Sequence, residues 1–216
     1  MTDIVLATLN ARYSHTAFGL RYLMANLGDL EPRAAMLEFD IHQRPMDVAE
    51  SILARHPRIV GLGVYIWNVV PMLEVAQILK RLAPDLLLVI GGPEVSHEHE
   101  TQPICAIADF VVTGEADQTF PRLCRDLLEG RRPVNRMIFS GPPDTTKLAL
   151  PYRLYSDEDI RHRVIYVEAS RGCPFTCEFC LSSLDQHLNR FPLETLLPAF
   201  QDLLDPKWKG KMVWVD

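Results

Sequence analysis

Short apolar runs alternate with amphipathic segments over the first 130 residues, and this alternation constrains the fold more than any other feature. Strands and helices in alternation predict a parallel sheet covered by helices. The fourth run, residues 86–90, is apolar at every position, which is typical of a central strand buried on both faces. The five predicted strands are residues 4–9, 34–39, 59–66, 86–90 and 110–113.

The segments between these runs carry helical periodicity. Apolar residues recur at i, i+3, i+4 and i+7, which predicts helices with one apolar stripe. The stripes are Leu20, Leu23, Met24 and Leu27, then Met72, Val75, Ala76 and Leu79, then Phe120, Leu123, Cys124 and Leu127. Weaker helices are expected near residues 45–55 and 101–108. Five β-α units of this length predict an α/β fold with a doubly wound, five-stranded parallel sheet of flavodoxin-like size.

Loops that follow the strands are the expected place for a binding site, because ligands of doubly wound sheets bind beyond the carboxyl ends of the strands. Tandem glycines let the backbone approach a large ligand closely, although Gly91-Gly92 is also explained by a tight turn. The candidate residues are Asn10, Ala11, Arg12, Tyr13, Ser14 and His15 after the first strand, Tyr65, Trp67 and Asn68 at the third, Gly91, Gly92, Pro93 and Glu94 after the fourth, and Gly114 and Glu115 after the fifth.

Composition excludes several classes of function. The net charge of −6 argues against nucleic acid as a main partner, because such binders concentrate basic residues on one face. No apolar run approaches the roughly 20 residues of a membrane span, and the acidic start lacks the basic end of a signal peptide, so we expect a cytoplasmic protein with no membrane contact. Cys105 and Cys124 lie among apolar neighbours and are expected to pack in the core. His97 and His99 are expected in a solvated loop rather than at a metal.

Residues 131–159 are rich in Pro, Asp and Arg and predict a linker, with room for a short strand at 137–140. Beyond it the pattern gives a strand at 164–168, a helix with an apolar stripe from Leu193 to Leu204, and a strand at 212–215. This is one and a half β-α units, which cannot bury their own faces. We therefore expect residues 160–216 to be the N-terminal fragment of a larger domain.

Three cysteines follow the strand at 164–168 with the spacing Cys173-x3-Cys177-x2-Cys180. Cubane iron–sulfur clusters usually take four cysteines, so three in one loop leave one iron open to bind a small molecule. A structural zinc site is the alternative, but it usually takes two separated ligand pairs, and here a fourth ligand such as His187 would have to be recruited. A disulfide is a third possibility.

The cysteine spacing, with Phe179 directly before Cys180, resembles the signature Cys-x3-Cys-x-aromatic-Cys of radical S-adenosylmethionine (SAM) enzymes. The resemblance implies that Cys173, Cys177 and Cys180 hold a 4Fe-4S cluster, that SAM chelates the open iron, and that Phe179 lies beside the adenine. It further implies reductive cleavage of SAM to a 5′-deoxyadenosyl radical and an electron donor such as flavodoxin or ferredoxin. Residues 160–216 would then be the first part of a β/α barrel.

The order of parts carries a second resemblance. An α/β domain with Gly91-Gly92 after its fourth strand, directly before such a motif, resembles the cobalamin-binding domain of B12-dependent radical enzymes. Cobalamin folds with a histidine ligand carry Asp-x-His-x-x-Gly in the first loop, whereas here His15 and Gly19 stand at another spacing. Gly63-x-Tyr65 stands where Ser-x-Leu is usual. The resemblance therefore implies cobalamin without a histidine ligand and with its tail near Gly91. The residues implied to hold it are Asn10 to His15, Tyr65, Gly91 to Glu94, Gly114 and Glu115.

Together these patterns predict a fragment of a cobalamin-dependent radical SAM enzyme that methylates or rearranges an unactivated carbon of a small-molecule substrate. Its parts would be a cobalamin-binding domain at 1–130, a linker at 131–159 and the start of the radical domain at 160–216. The alternative is a binding module, in which residues 1–130 sense cobalamin or a nucleotide-like ligand and the cysteine loop is a structural metal clip.

Overall fold

The computed structural model describes residues 2–97, 99–180, 188–204 and 211–214. The chain divides into two compact units, Met1–Pro143 and Asp144–Asp216. This division lies within the segment 131–159 that the sequence predicts to be a linker.

A parallel sheet forms the centre of the first unit. Its strands are β1 (Ile4–Asn10), β2 (Ala34–Asp40), β3 (Ile59–Gly63), β4 (Leu87–Gly91), β5 (Phe110–Gly114) and β6 (Met137–Ser140). They lie in the order β2-β1-β3-β4-β5-β6, and every pair is parallel. β2 lies on one side of β1, whereas β3 to β6 follow in chain order on the other side. The topological switch point therefore lies between β1 and β3.

The sheet confirms the predicted α/β class, but it has six strands rather than five. β6 pairs with β5 from Val111 opposite Met137 to Gly114 opposite Ser140. The sequence placed this strand in the linker because it is only four residues long and lies at the edge of the sheet, where Phe139 stays 81% exposed. A second difference is that β3 ends at Gly63, so Tyr65 belongs to the loop rather than to the strand.

Helices cover both faces of this sheet. They are α1 (Phe18–Ala25), α2 (Pro45–Leu53), α3 (Val69–Leu82), α4 (Pro93–Ser96), α5 (Pro103–Ile107) and α6 (Thr119–Leu128). Successive side chains of a strand point to opposite faces. Accordingly, Val5 and Ala7 of β1 join one core with α2, α3 and α5, while Ile4 and Leu6 join the other with α1 and α6. Strand β4 is buried between β3 and β5, which confirms the prediction of a central strand.

The second unit contains α7 (Asp157–His162), β7 (Val164–Val167), β8 (Ser170–Arg171), β9 (Asn189–Arg190), α8 (Leu193–Leu203) and β10 (Lys211–Trp214). Strands β7 and β10 are parallel, and β8 pairs antiparallel with β9. Helix α7, which begins at the end of the predicted linker, was missed, although it starts with a reciprocal cap in which Ser156 and Asp159 bind each other's backbone N–H. Val215 of the predicted last strand lies outside the described residues.

None of the helices in the described ranges is long and apolar enough to span a lipid bilayer.

Candidate functional site

One buried side chain, Asn68, ties the loop between β3 and α3 to the end of β1. Its carboxamide oxygen accepts the N–H of Tyr65 at 2.8 Å. Its nitrogen lies 3.1 Å from the Thr8 hydroxyl, 3.0 Å from the Leu9 carbonyl and 3.2 Å from the Gly63 carbonyl. The Thr8 hydroxyl also donates to the Gly63 carbonyl at 2.8 Å. This network bridges the carboxyl ends of β1 and β3, at the switch point where ligands of such sheets bind.

Beside this network an aromatic pair reaches the surface. The rings of Tyr65 and Trp67 stack with centroids 4.6 Å apart and planes 7° from parallel. The Trp67 indole N–H donates to the Leu9 carbonyl at 3.2 Å, which fixes the plane of the ring. Nevertheless Trp67 is 44% exposed, Ile66 76% and Tyr13, on the loop after β1, 57%. Large apolar side chains left in water beyond the strand ends indicate a binding surface for a ligand with an apolar face.

The loop after β1 is held by Glu38 of β2. Its carboxylate oxygens accept hydrogen bonds from the two terminal nitrogens of Arg21, with N···O distances of 2.9 and 3.0 Å, and from the backbone N–H of Ala17. The Asn10 amide lies 3.3 Å from the same carboxylate and donates to the His15 carbonyl at 3.0 Å. The side chains of Arg21 and Glu38 are only 1% and 11% exposed. Such buried, bidentate pairs are strongly oriented, so this loop has a fixed backbone.

His15 is half-buried, and its backbone N–H donates to the Arg12 carbonyl at 3.1 Å. Arg12 is exposed, and Ala11 and Ser14 are half-buried.

Burial raises the pKa of the Tyr65 phenol, and the negative charge of Glu38 raises it further. The Tyr65 hydroxyl therefore stays protonated, as a hydrogen-bonding group rather than an anionic ligand.

The Gly91-Gly92 pair is shaped by its own backbone. Gly92 has φ +116°, and a Cβ at this position would collide with the carbonyl of Val64. A Cβ on Gly91 would lie 3.1 Å from a carbonyl of β5. The tight turn accounts for Gly92 without any ligand, which is the alternative that the sequence left open. Pro93 begins α4 and is exposed, and Glu94 is half-buried.

Hydrogen bonds link the loops after β4, β5 and β6. The Ser96 hydroxyl donates to the Gly92 carbonyl at 2.9 Å and accepts the Gly114 N–H at 3.1 Å. The Ser140 hydroxyl donates to the Glu115 carbonyl. A Cβ on Gly114, which has φ +77°, would collide with the Ser140 carbonyl. The predicted residues of these loops thus lie together at the carboxyl edge of the sheet.

The cysteine loop follows β8 in the second unit. Cys173 is half-buried, whereas Cys177 and Cys180 are exposed, and none of them forms a disulfide. Phe179 is 93% exposed. Among the described residues no three His, Cys, Asp or Glu side chains are grouped to hold a metal ion. The structure thus places the three thiols on one short exposed loop without gathering them around a centre, and His187 lies outside the described residues. As a donor set, three thiols on one loop, none of them in a disulfide, fit an iron–sulfur cluster.

Sequence reasoning missed the groups that fix the base of this loop. Arg171 Nε donates to Glu168 at 3.0 Å, and these two side chains are 13% and 8% exposed. The Arg171 guanidinium lies 5.8 Å from the centroid of the Phe191 ring, a cation–π distance. The Phe191 N–H donates to the Ala169 carbonyl at 3.0 Å. Opposite charges three residues apart at the end of a strand were the available signal, but their burial was not visible in the sequence.

Comparison with known proteins identifies the first unit. The profile of the B12 binding domain matches residues 4–124. The uncharacterized methyltransferase PH0819 of Pyrococcus horikoshii is 31% identical over 160 residues, covering 64% of this chain and 34% of that protein. The cobalamin-dependent radical SAM methyltransferase TokK of Streptomyces tokunonensis is 26% identical over 164 residues, covering 62% and 23%. The chain therefore spans about a third or less of the length of these relatives.

The fold has a solved counterpart. The radical S-adenosylmethionine methyltransferase TsrM of Kitasatospora setae, solved with a tryptophan substrate and a SAM analogue, superposes with a TM-score of 0.74. The match covers 100% of this chain and 48% of TsrM at 15% sequence identity, so it concerns the fold. The B12 binding profile spans more than half of the chain, and the parallel sheet agrees with it. The chain belongs to the B12-binding domain family, and its relatives include cobalamin-dependent radical SAM methyltransferases.

Proposed function

We propose that this chain is part of a cobalamin-dependent radical SAM methyltransferase that acts on an unactivated carbon of a small molecule. The observation that carries the proposal is the exposed apolar surface of Tyr13, Ile66 and Trp67 at the switch point of a B12-binding domain. The cysteine loop that follows in the same chain supports the radical part. The names of the relatives favour methyl transfer over rearrangement.

The proposed cobalamin surface is rigid and apolar. A corrin is a broad, flat ring, and the fixed indole of Trp67 offers it a flat apolar contact. Ile66, next to Trp67 in sequence, and Tyr13, on the loop after β1, add exposed apolar side chains at the same edge of the sheet. The protonated Tyr65 phenol gives no anionic ligand. In this proposal no protein nitrogen ligates cobalt, and the cofactor is held by the loop residues alone.

In the second unit, Cys173, Cys177 and Cys180 would hold a 4Fe-4S cluster, and Phe179 would lie beside the adenine of SAM. When bound, the reduced cluster supplies the electron for SAM cleavage, and cobalamin supplies the methyl-transfer chemistry. The chain itself presents three thiols and keeps the base of their loop fixed through Glu168 and Arg171. Turnover would further need an electron donor such as flavodoxin or ferredoxin and a small-molecule substrate.

Binding of hydroxocobalamin to the purified chain tests the first half of the proposal. We expect one cobalamin per chain by mass spectrometry under non-denaturing conditions. Trp67→Ala should weaken binding by more than tenfold, since tenfold corresponds to about 1.4 kcal/mol and a buried aromatic contact exceeds this. Phe139→Ala is the matched control, because it also removes an exposed aromatic side chain but from β6, outside the proposed surface. The cobalamin affinity of this variant should equal that of the wild type. Equal effects of both substitutions would contradict the proposed surface.

Anaerobic reconstitution with iron and sulfide tests the second half. The wild-type chain should acquire the broad visible absorbance of an iron–sulfur cluster, and Cys177→Ala should not. A colourless chain that retains zinc after purification would instead support the alternative, a binding module with a structural metal clip.

A further inference from the structure

Two buried tyrosines bind the backbone of β7 and of the residue that follows it in the same way. The Tyr152 hydroxyl donates to the Glu168 carbonyl at 3.1 Å and accepts the Glu168 N–H at 3.2 Å. The Tyr155 hydroxyl donates to the Tyr166 carbonyl at 2.9 Å and accepts the Tyr166 N–H at 3.2 Å. Tyr152 is 5% exposed and Tyr155 is 7% exposed. We call these two residues the tyrosine clasp.

The spacing of the clasp matches the repeat of a strand. Tyr152–Leu154 forms a 3₁₀ turn, and the Tyr155 N–H continues it by donating to the Tyr152 carbonyl at 3.2 Å. Three residues of such a turn rise about 6 Å, and side chains three residues apart lie on the same side. Two residues of a strand rise about 6.6 Å. The two hydroxyls can therefore reach Tyr166 in β7 and Glu168 just after it, two residues further along the extended chain.

The clasp lies on the side of β7 that has no strand partner among the described residues. In parallel pairing the N–H and C=O of one residue point to one side of the strand, and those of the next residue point to the other. Strand β10 pairs with β7 on one side. Tyr166 and Glu168 are two residues apart, so their backbone groups point to one and the same side, the side away from β10. The two tyrosine hydroxyls accept both of the N–H groups on that side. It thus acts in place of a neighbouring strand.

The position of Glu168 connects the clasp to the cysteine loop. Tyr152 holds the backbone of Glu168, and the Glu168 carboxylate holds Arg171, two residues before Cys173. We propose that the tyrosine clasp positions the cysteine loop, and that Tyr152 is its principal positioning residue because it acts through Glu168 and Arg171. The inference deepens the proposed function, on which it rests for the identity of the cluster. Tyr155 acts two residues further from the loop and should secure only the strand.

Tyrosine-to-phenylalanine variants of the full chain separate positioning from stability. Tyr152→Phe and Tyr155→Phe each keep the ring and remove one hydroxyl with two hydrogen bonds, so they should lower the melting temperature by similar amounts. Tyr166→Phe is the control, because it removes a side-chain hydroxyl from β7 itself and leaves the hydroxyls of Tyr152 and Tyr155 and the backbone groups that they bind in place. A merely structural role predicts that the two clasp variants alter the cysteine loop equally.

Two readouts need no cluster. Hydrogen exchange of the wild-type chain should show the N–H groups of Tyr166 and Glu168 as protected as those of Ile165 and Val167. Tyr152→Phe should speed exchange at Glu168 by at least tenfold, and Tyr155→Phe should do so at Tyr166. Alkylation of the half-buried Cys173 should be faster in Tyr152→Phe than in Tyr155→Phe or in the control.

A third readout uses the reconstituted chain. Tyr152→Phe should broaden the electron paramagnetic resonance spectrum of the reduced cluster with SAM, whereas Tyr155→Phe and Tyr166→Phe should match wild type. Rapid exchange at Tyr166 and Glu168 in the wild type, or equal Cys173 alkylation in both clasp variants, would overturn the inference. If the wild type assembles no cluster, the proposed function fails, and exchange and alkylation still decide the role of the clasp.

Discussion

Replacing Asn68 by alanine should destabilise the first unit, because this side chain makes the central contacts of the switch-point network. Asn68 is fully buried. Its loss removes the acceptor of the Tyr65 N–H, whereas the Leu9 carbonyl keeps the Trp67 indole as a donor and the Gly63 carbonyl keeps the Thr8 hydroxyl. One orphaned buried N–H costs about 1–3 kcal/mol, and the cavity left behind adds about 1 kcal/mol. The expected loss is therefore about 2–4 kcal/mol of unfolding free energy.

Urea denaturation followed by circular dichroism measures this loss, which should appear as a lower midpoint with an unchanged slope. Asn26→Ala is the matched control, because the half-buried Asn26 amide donates to the Tyr22 carbonyl at 2.9 Å at the end of a helix. This control should cost less than about 1 kcal/mol. A loss for Asn68→Ala no larger than that of the control would refute the account of the network.

Asn68→Asp adds a pH dependence to the same experiment. The introduced carboxylate would be buried, and it would face the oxygens of Thr8, Leu9 and Gly63. Loss of hydration and repulsion by these oxygens both raise the pKa of a carboxyl group. A carboxyl with a raised pKa in the folded state contributes its full stability below its unfolded pKa of about 3.9 and loses it as pH rises through the folded pKa. The stability deficit relative to wild type should therefore grow from pH 4 to pH 7. A deficit that stays constant would show that the carboxylate avoids these oxygens.

Three further predictions concern the cysteines and the two units. Alanine at Cys173, Cys177 or Cys180 in the full-length protein should abolish SAM cleavage and leave cobalamin affinity near wild type. The reason is that these cysteines and the B12-binding domain lie in separate units. Loss of cobalamin binding in any of the three variants would contradict this prediction. Burial raises the pKa of the Cys124 thiol, so iodoacetamide at pH 8 should label the two exposed loop thiols first, and equal labelling rates would be the contrary result. Limited proteolysis should cut first in the second unit or near Pro143, where the first unit ends; early cuts inside α1 to α6 would count against the division.

The sequence predicted the elements whose burial is strong and local. Apolar runs revealed β1 to β5 because β1, β3, β4 and β5 are largely buried and β2 is half-buried throughout. Helical stripes revealed α1, α3 and α6. The short strand at 137–140 was expected, but its place in the sheet was not, because its pairing depends on backbone hydrogen bonds with β5 and its Phe139 remains in water. Its neighbours in sequence have the composition of a linker.

The sequence predicted where the candidate site lies in the fold, but it did not predict the contacts that shape the site. The carboxyl ends of the strands follow from topology, but the role of Asn68 depends on Thr8 and Leu9, which lie 60 and 59 residues away in the chain. The demand for glycine at position 92 comes from the Val64 carbonyl, which no local pattern reveals. For this reason Gly92→Val is a poor test of ligand binding, since it would distort the turn whether or not a ligand is present.

The most direct test of the central claim is the electron paramagnetic resonance spectrum of Co(II) cobalamin bound to the wild-type chain and to His15→Ala. We predict that both chains bind cobalamin with similar affinity and that neither spectrum contains a splitting from a protein nitrogen. A nitrogen splitting in the wild type that His15→Ala removes would contradict the proposed absence of a protein ligand below cobalt. Failure of the wild-type chain to bind cobalamin would contradict the function proposed for the first unit.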